Sequence, residues 1–394
     1  MSIYQRFGVR PLINAAGTKT RLGGAHMPPE VLEAMAEAAQ EAVDMAALQA
    51  AASRVIARVT GAEAGYVTSG AAAALTLGAA ACITGLDPAK IDQLPNTGDL
   101  PNEILIFRSH RNSYDHGWRA AGARLVEIGM DDRTAGSGVR LLEPWEIEAA
   151  VNERTVALAY VANLRNEPAL EPLIETAHAC GIPVLVDAAG RLPPEENLRY
   201  FIEAGADLVA FSGGKAIGGP QSTGILCGKK HLIQAVLLNH LDMDMDLDLW
   251  DPPEDLLPRA AFKALPHHGI GRGFKVSREN IIALLVALER FASGAWREEL
   301  GDRREIAQAV LRVVEDRPGI SGQLVDSGGY PRVKLTFPDT ATARRIYQQL
   351  LDGEPGIAFD PSDVYSGVLL VDTTTLRPEE TPVIVARLQA ILSN

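Results

Sequence analysis

From about residue 60 to 230, short apolar runs alternate with stretches of helical periodicity. Ile104 to Phe107, Arg124 to Ile128, Val156 to Val161, Val184 to Val186, Leu208 to Phe211 and Gly224 to Leu226 are mostly β-branched or leucine-rich. Strands covered on both faces carry that pattern, and their alternation with helices predicts βαβ units in a mostly parallel sheet. Helices over Glu146 to Val151 and Pro172 to Cys180 fill two of the gaps, the second stopped by Gly181-Ile182-Pro183.

Upstream, Pro28-Pro29-Glu30 opens an Ala- and Glu-rich amphipathic stretch to about Thr60, with proline in the first turn where no N–H is missed. Downstream, Ile281 to Ala292 reads as an apolar helix. Val333 to Phe337, Ile357 to Phe359 and Val368 to Val371, interleaved with helices at 302–315, 340–352 and 378–392, predict a small α+β unit. The expected division is an N-terminal arm and helices over 1–60, a large α/β domain over 61–275, and a linker helix with a small C-terminal domain over 276–394. Ala64 to Leu86 is uncharged and dominated by Ala and Gly, which predicts a helix buried in a soluble domain rather than a membrane span.

With 394 residues, 47% hydrophobic and 22% charged, the chain is long enough for a large core and fits a globular class. Lys+Arg 37 against Asp+Glu 50 gives a net charge of −13, which argues against a polyanion such as nucleic acid as the main ligand. Cys82, Cys180 and Cys227 are odd in number and far apart, so reduced thiols are expected. The N-terminus has no signal-peptide pattern, which leads to an expected cytoplasmic location without membrane attachment. In Leu241 to Trp250, Asp242, Asp244, Asp246 and Asp248 alternate with Met243, Met245, Leu247 and Leu249. An extended run of that kind predicts a solvated face or subunit contact, and no metal is expected because the glycine turns of calcium loops are missing.

The chemistry concentrates at strand ends. Ala206 to Lys215 reads as a strand running into a glycine turn that ends in a lysine, and Val184-Leu185-Val186-Asp187 puts an acid at the end of another strand. Open α/β folds keep ligand sites at that carboxyl edge. The alternatives are a surface lysine and a helix N-cap. Together, however, strand-end Asp and Lys suit pyridoxal 5′-phosphate, with Lys215 forming the Schiff base and Asp187 pairing with the pyridine nitrogen. Ser69-Gly70-Ala71 opens an Ala-rich helix whose free N–H groups and dipole suit the phosphate, and Ser212 adds a hydroxyl. His110 follows a strand to the same edge, where its ring would stack on the pyridine, with Ala189 against the opposite face.

With these residues in place, the chain resembles the fold-type I pyridoxal phosphate enzymes, and most closely the selenocysteine synthase-like group that includes D-glucosaminate-6-phosphate ammonia-lyase. The likeness runs through Leu12 to Thr18, Thr68 to Ala72, Val186 to Ala189, Glu196 to Leu198, Ser212 to Pro220 and Gly271 to Val276. It implies the aspartate aminotransferase fold, with a mostly parallel seven-stranded sheet and a small C-terminal α+β domain. It also implies the roles above for Lys215, Asp187, His110, Ser69 to Ala71 and Ser212, and a homodimer with the site at the subunit interface. Related enzymes hold the substrate carboxylate with an arginine shortly before the final helix, where Leu369-Leu370-Val371-Asp372 offers none. Arg21, Arg272 and Arg332 are the remaining candidates, Thr18 is a further substrate contact, and Lys275 a possible anion ligand. The expected reaction is α-proton abstraction by Lys215 and β-elimination from a hydroxy amino acid or amino sugar acid, giving a 2-keto acid and ammonia. A racemase or epimerase, an aldolase, and a non-catalytic cofactor-binding protein use the same parts.

Overall fold

The computed structural model describes residues 2–130, 132–162, 169–325 and 329–393. In chain order its strands are β1 Leu12–Ala15, β2 Ala64–Thr68, β3 Glu103–Phe107, β4 Arg124–Ile128, β5 Thr155–Val161, β6 Val184–Asp187, β7 Leu208–Ser212, β8 Gly224–Gly228, β9 Ser321–Val325, β10 Arg332–Thr336, β11 Gly356–Phe359 and β12 Val368–Asp372. They divide between two compact units, one of residues Met27–Ala292 and one of Met1–His26 with Ser293–Asn394.

The unit Met27–Ala292 holds a seven-stranded sheet in the order β2-β8-β7-β6-β5-β3-β4. Only β8 runs against the direction of the other six strands, so the sheet is mostly parallel, as expected. Strands β3, β6 and β8 are buried along their whole length, which is why their sequences run apolar without alternation. At the edge, β4 carries exposed Arg124 and Glu127 instead.

The uncharged stretch Ala64 to Leu86 is not one helix. It divides into β2, a turn at Ser69-Gly70 and the helix Ala71–Thr84, because Gly70 takes a φ of 149° that breaks the chain direction. The helix lies deep enough that ten of its residues are buried, which accounts for its lack of a polar face.

Two segments expected outside this domain belong to it. The helices Pro29–Ala38 and Arg278–Ala292 are joined by Arg290 Nε to Glu30 at 2.8 Å and by the Arg278 Nε donating to the Ala38 carbonyl at 3.1 Å. Ile281, Leu284, Leu288 and Phe291 bury one face of the second helix. The compact units therefore divide at His26/Met27 and Ala292/Ser293 rather than at 60/61 and 275/276.

A buried polar chain lies within the same unit. Tyr66 of β2 and His240 are both inside the core, with the phenol oxygen 2.9 Å from His240 Nδ1 and His240 Nε2 3.3 Å from the Phe274 carbonyl. A carbonyl only accepts, so Nε2 carries the proton and Tyr66 donates to Nδ1. Burial holds the His240 pKa down at about 4. Because that lies below the unfolded value, stability is lost as pH falls from about 6.5 toward 4, where the unfolded chain binds the extra proton. Tyr66→Phe leaves Nδ1 buried without its donor, an expected cost of about 1–3 kcal/mol in a denaturant titration at neutral pH.

The other unit pairs β1 with β11 in parallel and arranges β12-β10-β9 as an antiparallel sheet. The helices Leu300–Val314, Thr340–Asp352 and Thr381–Leu392 close its core around Val310, Leu335, Ile346, Phe359 and Leu388. This is the expected α+β unit, completed by the N-terminal strand β1.

The run 241–250 is not extended. The Asp244 N–H donates to Asp242 at 3.0 Å and the Asp248 N–H to Asp246 at 2.8 Å, so the carboxylates organise turns. The alternation fails accordingly, since Met243 and Trp250 are buried while Met245 and Leu249 are exposed. The three cysteines are free, and burial raises the thiols of Cys82 and Cys227 to about 12. Among the described residues, no helix is long and apolar enough to cross a membrane.

Candidate active site

The carboxyl ends of the strands bring the predicted chemistry together in the unit Met27–Ala292. Thr68, Gly224 and Ser212 lie level across β2, β8 and β7, and Val161, Asp187 and Ala210 across β5, β6 and β7. Asp187 closes β6 with 8% of its surface exposed and accepts the Ala189 N–H at 3.0 Å. Burial pushes its carboxyl above the usual range, while the Ala189 N–H and the Lys215 charge pull the other way.

Lys215 follows Ser212 after two glycines and is half-buried. The turn is tied by the Gly213 N–H to Thr223 O at 2.9 Å and the Gly219 N–H to Gly213 O at 2.9 Å. A Cβ at Gly214 would lie 2.3 Å from Gln221 Cα, so backbone passes backbone too closely there for any side chain.

Ser69 and Gly70 lead into the helix Ala71–Thr84, whose N-terminus no side chain caps. A Cβ at Gly70 would meet nothing within 4 Å, so the space beside these N–H groups is open. Opposite, a Cβ at Gly224 would lie 2.5 Å from the Gly70 carbonyl carbon and 2.7 Å from Ala71 N. Gly224, which the sequence reading took only as the start of a strand, thus sets how closely β8 approaches this turn. Gly224→Ala is expected to cost about 1–3 kcal/mol by overpacking, read as a lowered unfolding midpoint.

His110 ends the short turn Arg108–His110 and is 1% exposed. The Val161 N–H donates to its Nδ1 at 3.1 Å, so the neutral ring carries its proton on Nε2. Phe107 and Tyr160 lie against it with ring centroids 4.8 and 4.9 Å away. Since Val161 is the register partner of Asp187, the imidazole is held at the strand next to the acid. Ala189 is half-buried two residues past Asp187.

The proposed substrate residues are divided. Arg272 lies in the unit Met27–Ala292, paired with Asp242 at 2.8 Å, and Lys275 is exposed. Thr18, Arg21 and Arg332 belong to the other unit. There Arg21 is exposed, and Arg332 Nε pairs with Asp372 Oδ2 at 2.8 Å across β10 and β12. The Asp372 carboxylate also receives the Thr374 N–H at 2.9 Å, and a Cβ on Gly17 would lie 2.7 Å from it. Arg191 had no assigned role, yet it sits four residues past Asp187, with its N–H on Ala188 O at 3.0 Å and its carbonyl accepting Asn197 Nδ2 at 2.6 Å.

A family model described as SelA, L-seryl-tRNA selenium transferase, matches residues 12–249, more than half of the chain. The chain belongs to the SelA family. Within it, the chain is 31% identical over 404 residues to D-glucosaminate-6-phosphate ammonia lyase of Salmonella typhimurium, covering 99% of this chain and 98% of that one. It is 32% identical over 405 residues to 5'-C-glycyluridine monooxygenase-decarboxylase of a Streptomyces species, covering 99% and 92%. A solved structure of D-glucosaminate-6-phosphate ammonia-lyase superposes with a TM-score of 0.78 at 29% identity, covering 100% of this chain and 98% of that one. This SelA-family chain has the fold of the type I enzymes, whose cofactor is pyridoxal phosphate.

The residues fit that group. An uncapped helix N-terminus with open space beside it suits a phosphate dianion. A buried carboxylate whose charge burial disfavours suits a cationic ring nitrogen, and a half-buried lysine at the same edge suits an aldehyde.

Proposed function

We propose that this SelA-family chain is a lyase that releases ammonia from a hydroxy amino acid or amino sugar acid and leaves a 2-keto acid. The observation that carries the reading is the meeting of Lys215, Asp187, His110 and the uncapped helix at one sheet edge. The full-length likeness to an ammonia lyase narrows the reaction.

Pyridoxal phosphate, when bound, withdraws the electron pair left on the substrate's α-carbon after its proton departs. The first turn of the helix Ala71–Thr84, with Ser69, Gly70, Ala71 and Ser212, would hold the phosphate. Asp187 would hold a proton on the ring nitrogen, and His110 and Ala189 would flank the ring. Lys215 Nζ would hold the cofactor's aldehyde and, when freed, would accept the substrate's α-proton as general base. Loss of the β-hydroxyl as water and later uptake of one water release ammonia. Thr18, Arg21, Arg272 and Arg332 are the candidates for the substrate's hydroxyl and anionic groups. The reading includes a cytoplasmic homodimer acting on a small molecule rather than nucleic acid; the full-length likeness to an ammonia lyase and the net charge of −13 favour the small molecule.

Incubating the holoenzyme with D-glucosaminate 6-phosphate, its unphosphorylated form and serine tests this. Keto acid and ammonia in equal amounts are expected from at least one. Optical inversion with solvent deuterium uptake would instead make it a racemase, a released aldehyde an aldolase, and an unperturbed spectrum a non-catalytic binder. The Streptomyces relative favours a second reading, an oxidative decarboxylation, which oxygen uptake with release of carbon dioxide would establish.

A further inference from the structure

Asp115 is 7% exposed, and its partners Arg111 and Asn112 lie in the chain that follows His110. Its Oδ2 accepts Arg111 Nε at 2.5 Å and its Oδ1 the Asn112 N–H at 3.3 Å. Asn112 in turn donates from Nδ2 to the His110 carbonyl at 2.9 Å and accepts the Tyr114 N–H at 2.7 Å. A buried carboxylate needs hydrogen-bond donors around it, and here the donors are the loop itself.

Asp115 also begins the helix Asp115–Ala120, and that helix is bolted to the phosphate end of its neighbour. Thr76 Oγ1 donates to the Gly117 carbonyl at 2.8 Å. A Cβ at Gly117 would lie 3.1 Å from the carbonyl of Ala72, in the first turn of the helix Ala71–Thr84. Gly117 therefore marks a close approach between the two helices.

We propose that Asp115 is a positioning residue for the cofactor site. It clamps the loop that carries His110 onto the helix Asp115–Ala120, and through Thr76 and Gly117 it ties that loop to the N–H groups that face the phosphate. The ring-facing imidazole and the phosphate turn then move as one block. The inference rests on the cofactor reading above.

The test is equilibrium binding of pyridoxal phosphate to the apo-protein, read from the absorption of the bound cofactor, in wild type, Asp115→Asn, His110→Ala and the double variant. Loss of a charge-assisted hydrogen bond predicts about tenfold weaker binding for Asp115→Asn. Its absorption maximum should shift in the same direction as in His110→Ala, and the double variant should bind no more weakly than His110→Ala alone. Thr76→Val, which keeps the carboxylate, should show the same shift to a smaller extent, and it carries the test where Asp115→Asn does not fold. A lowered melting temperature with unchanged affinity and absorption would overturn the proposal, as would losses that simply add. A wild-type chain that binds no pyridoxal phosphate would overturn the functional reading and this proposal with it.

Discussion

Replacing Lys215 by alanine lowers turnover by at least about a thousandfold while the chain stays folded, since one group serves both as covalent tether and as general base. The fold should tolerate the change because Lys215 is only half-buried and its turn is held by backbone hydrogen bonds of Gly213, Gly218 and Gly219. Circular dichroism and thermal unfolding close to wild type, with keto-acid release lost, are the expected pair of results. Added primary amines should restore part of the rate by replacing the base. A variant that kept its activity would remove Lys215 from the mechanism.

Asp187→Asn moves stability and binding in opposite directions. In the apo-protein, burial raises the Asp187 carboxyl above its unfolded value despite the Ala189 N–H and the Lys215 charge. Between the unfolded and folded values the native chain holds the extra proton, so the penalty is absent below the first and fully present above the second. The apo-variant should therefore be more stable than apo-wild type at neutral pH, and the gap should close as pH falls through the carboxylate range. Cofactor affinity should drop at least about tenfold, because the asparagine offers no charge to the ring nitrogen. Turnover should fall by about a hundredfold or more with the loss of that electrostatic support. Thermal unfolding of the apo-forms across pH, set beside binding titrations, separates the two effects. An apo-variant less stable than wild type at neutral pH would mean that Asp187 is held in place chiefly by its hydrogen bond to Ala189.

The parallel strands β3 to β7 were legible because two-sided burial writes continuous apolar runs, and the lysine turn because packed side chains at Gly213 and close backbone passage at Gly214 leave no room for a Cβ. What stayed hidden depends on distant pairing. β1 is four residues long and becomes a strand only by lying against Gly356 to Phe359. β2 was concealed in the uncharged run 64–86, where alanine and glycine serve strand and buried helix alike. The alternating run 241–250 has the period of a strand, but its aspartates cap the backbone N–H groups two residues on, and that local competition wins. Asp115 lies five residues after His110, yet nothing in its neighbours' identity reveals that its carboxylate is buried. Arg332 is legible as a cation but not as the register partner of Asp372.

The central claim is that Lys215 binds pyridoxal phosphate covalently at the edge where Asp187 ends β6. The most direct test is the near-ultraviolet and visible spectrum of the purified protein, followed by borohydride reduction and peptide mapping. A visible band that disappears on reduction, with the cofactor's mass fixed on the peptide containing Lys215, is the predicted result. No band after incubation with pyridoxal phosphate, or a label on another lysine, would contradict it.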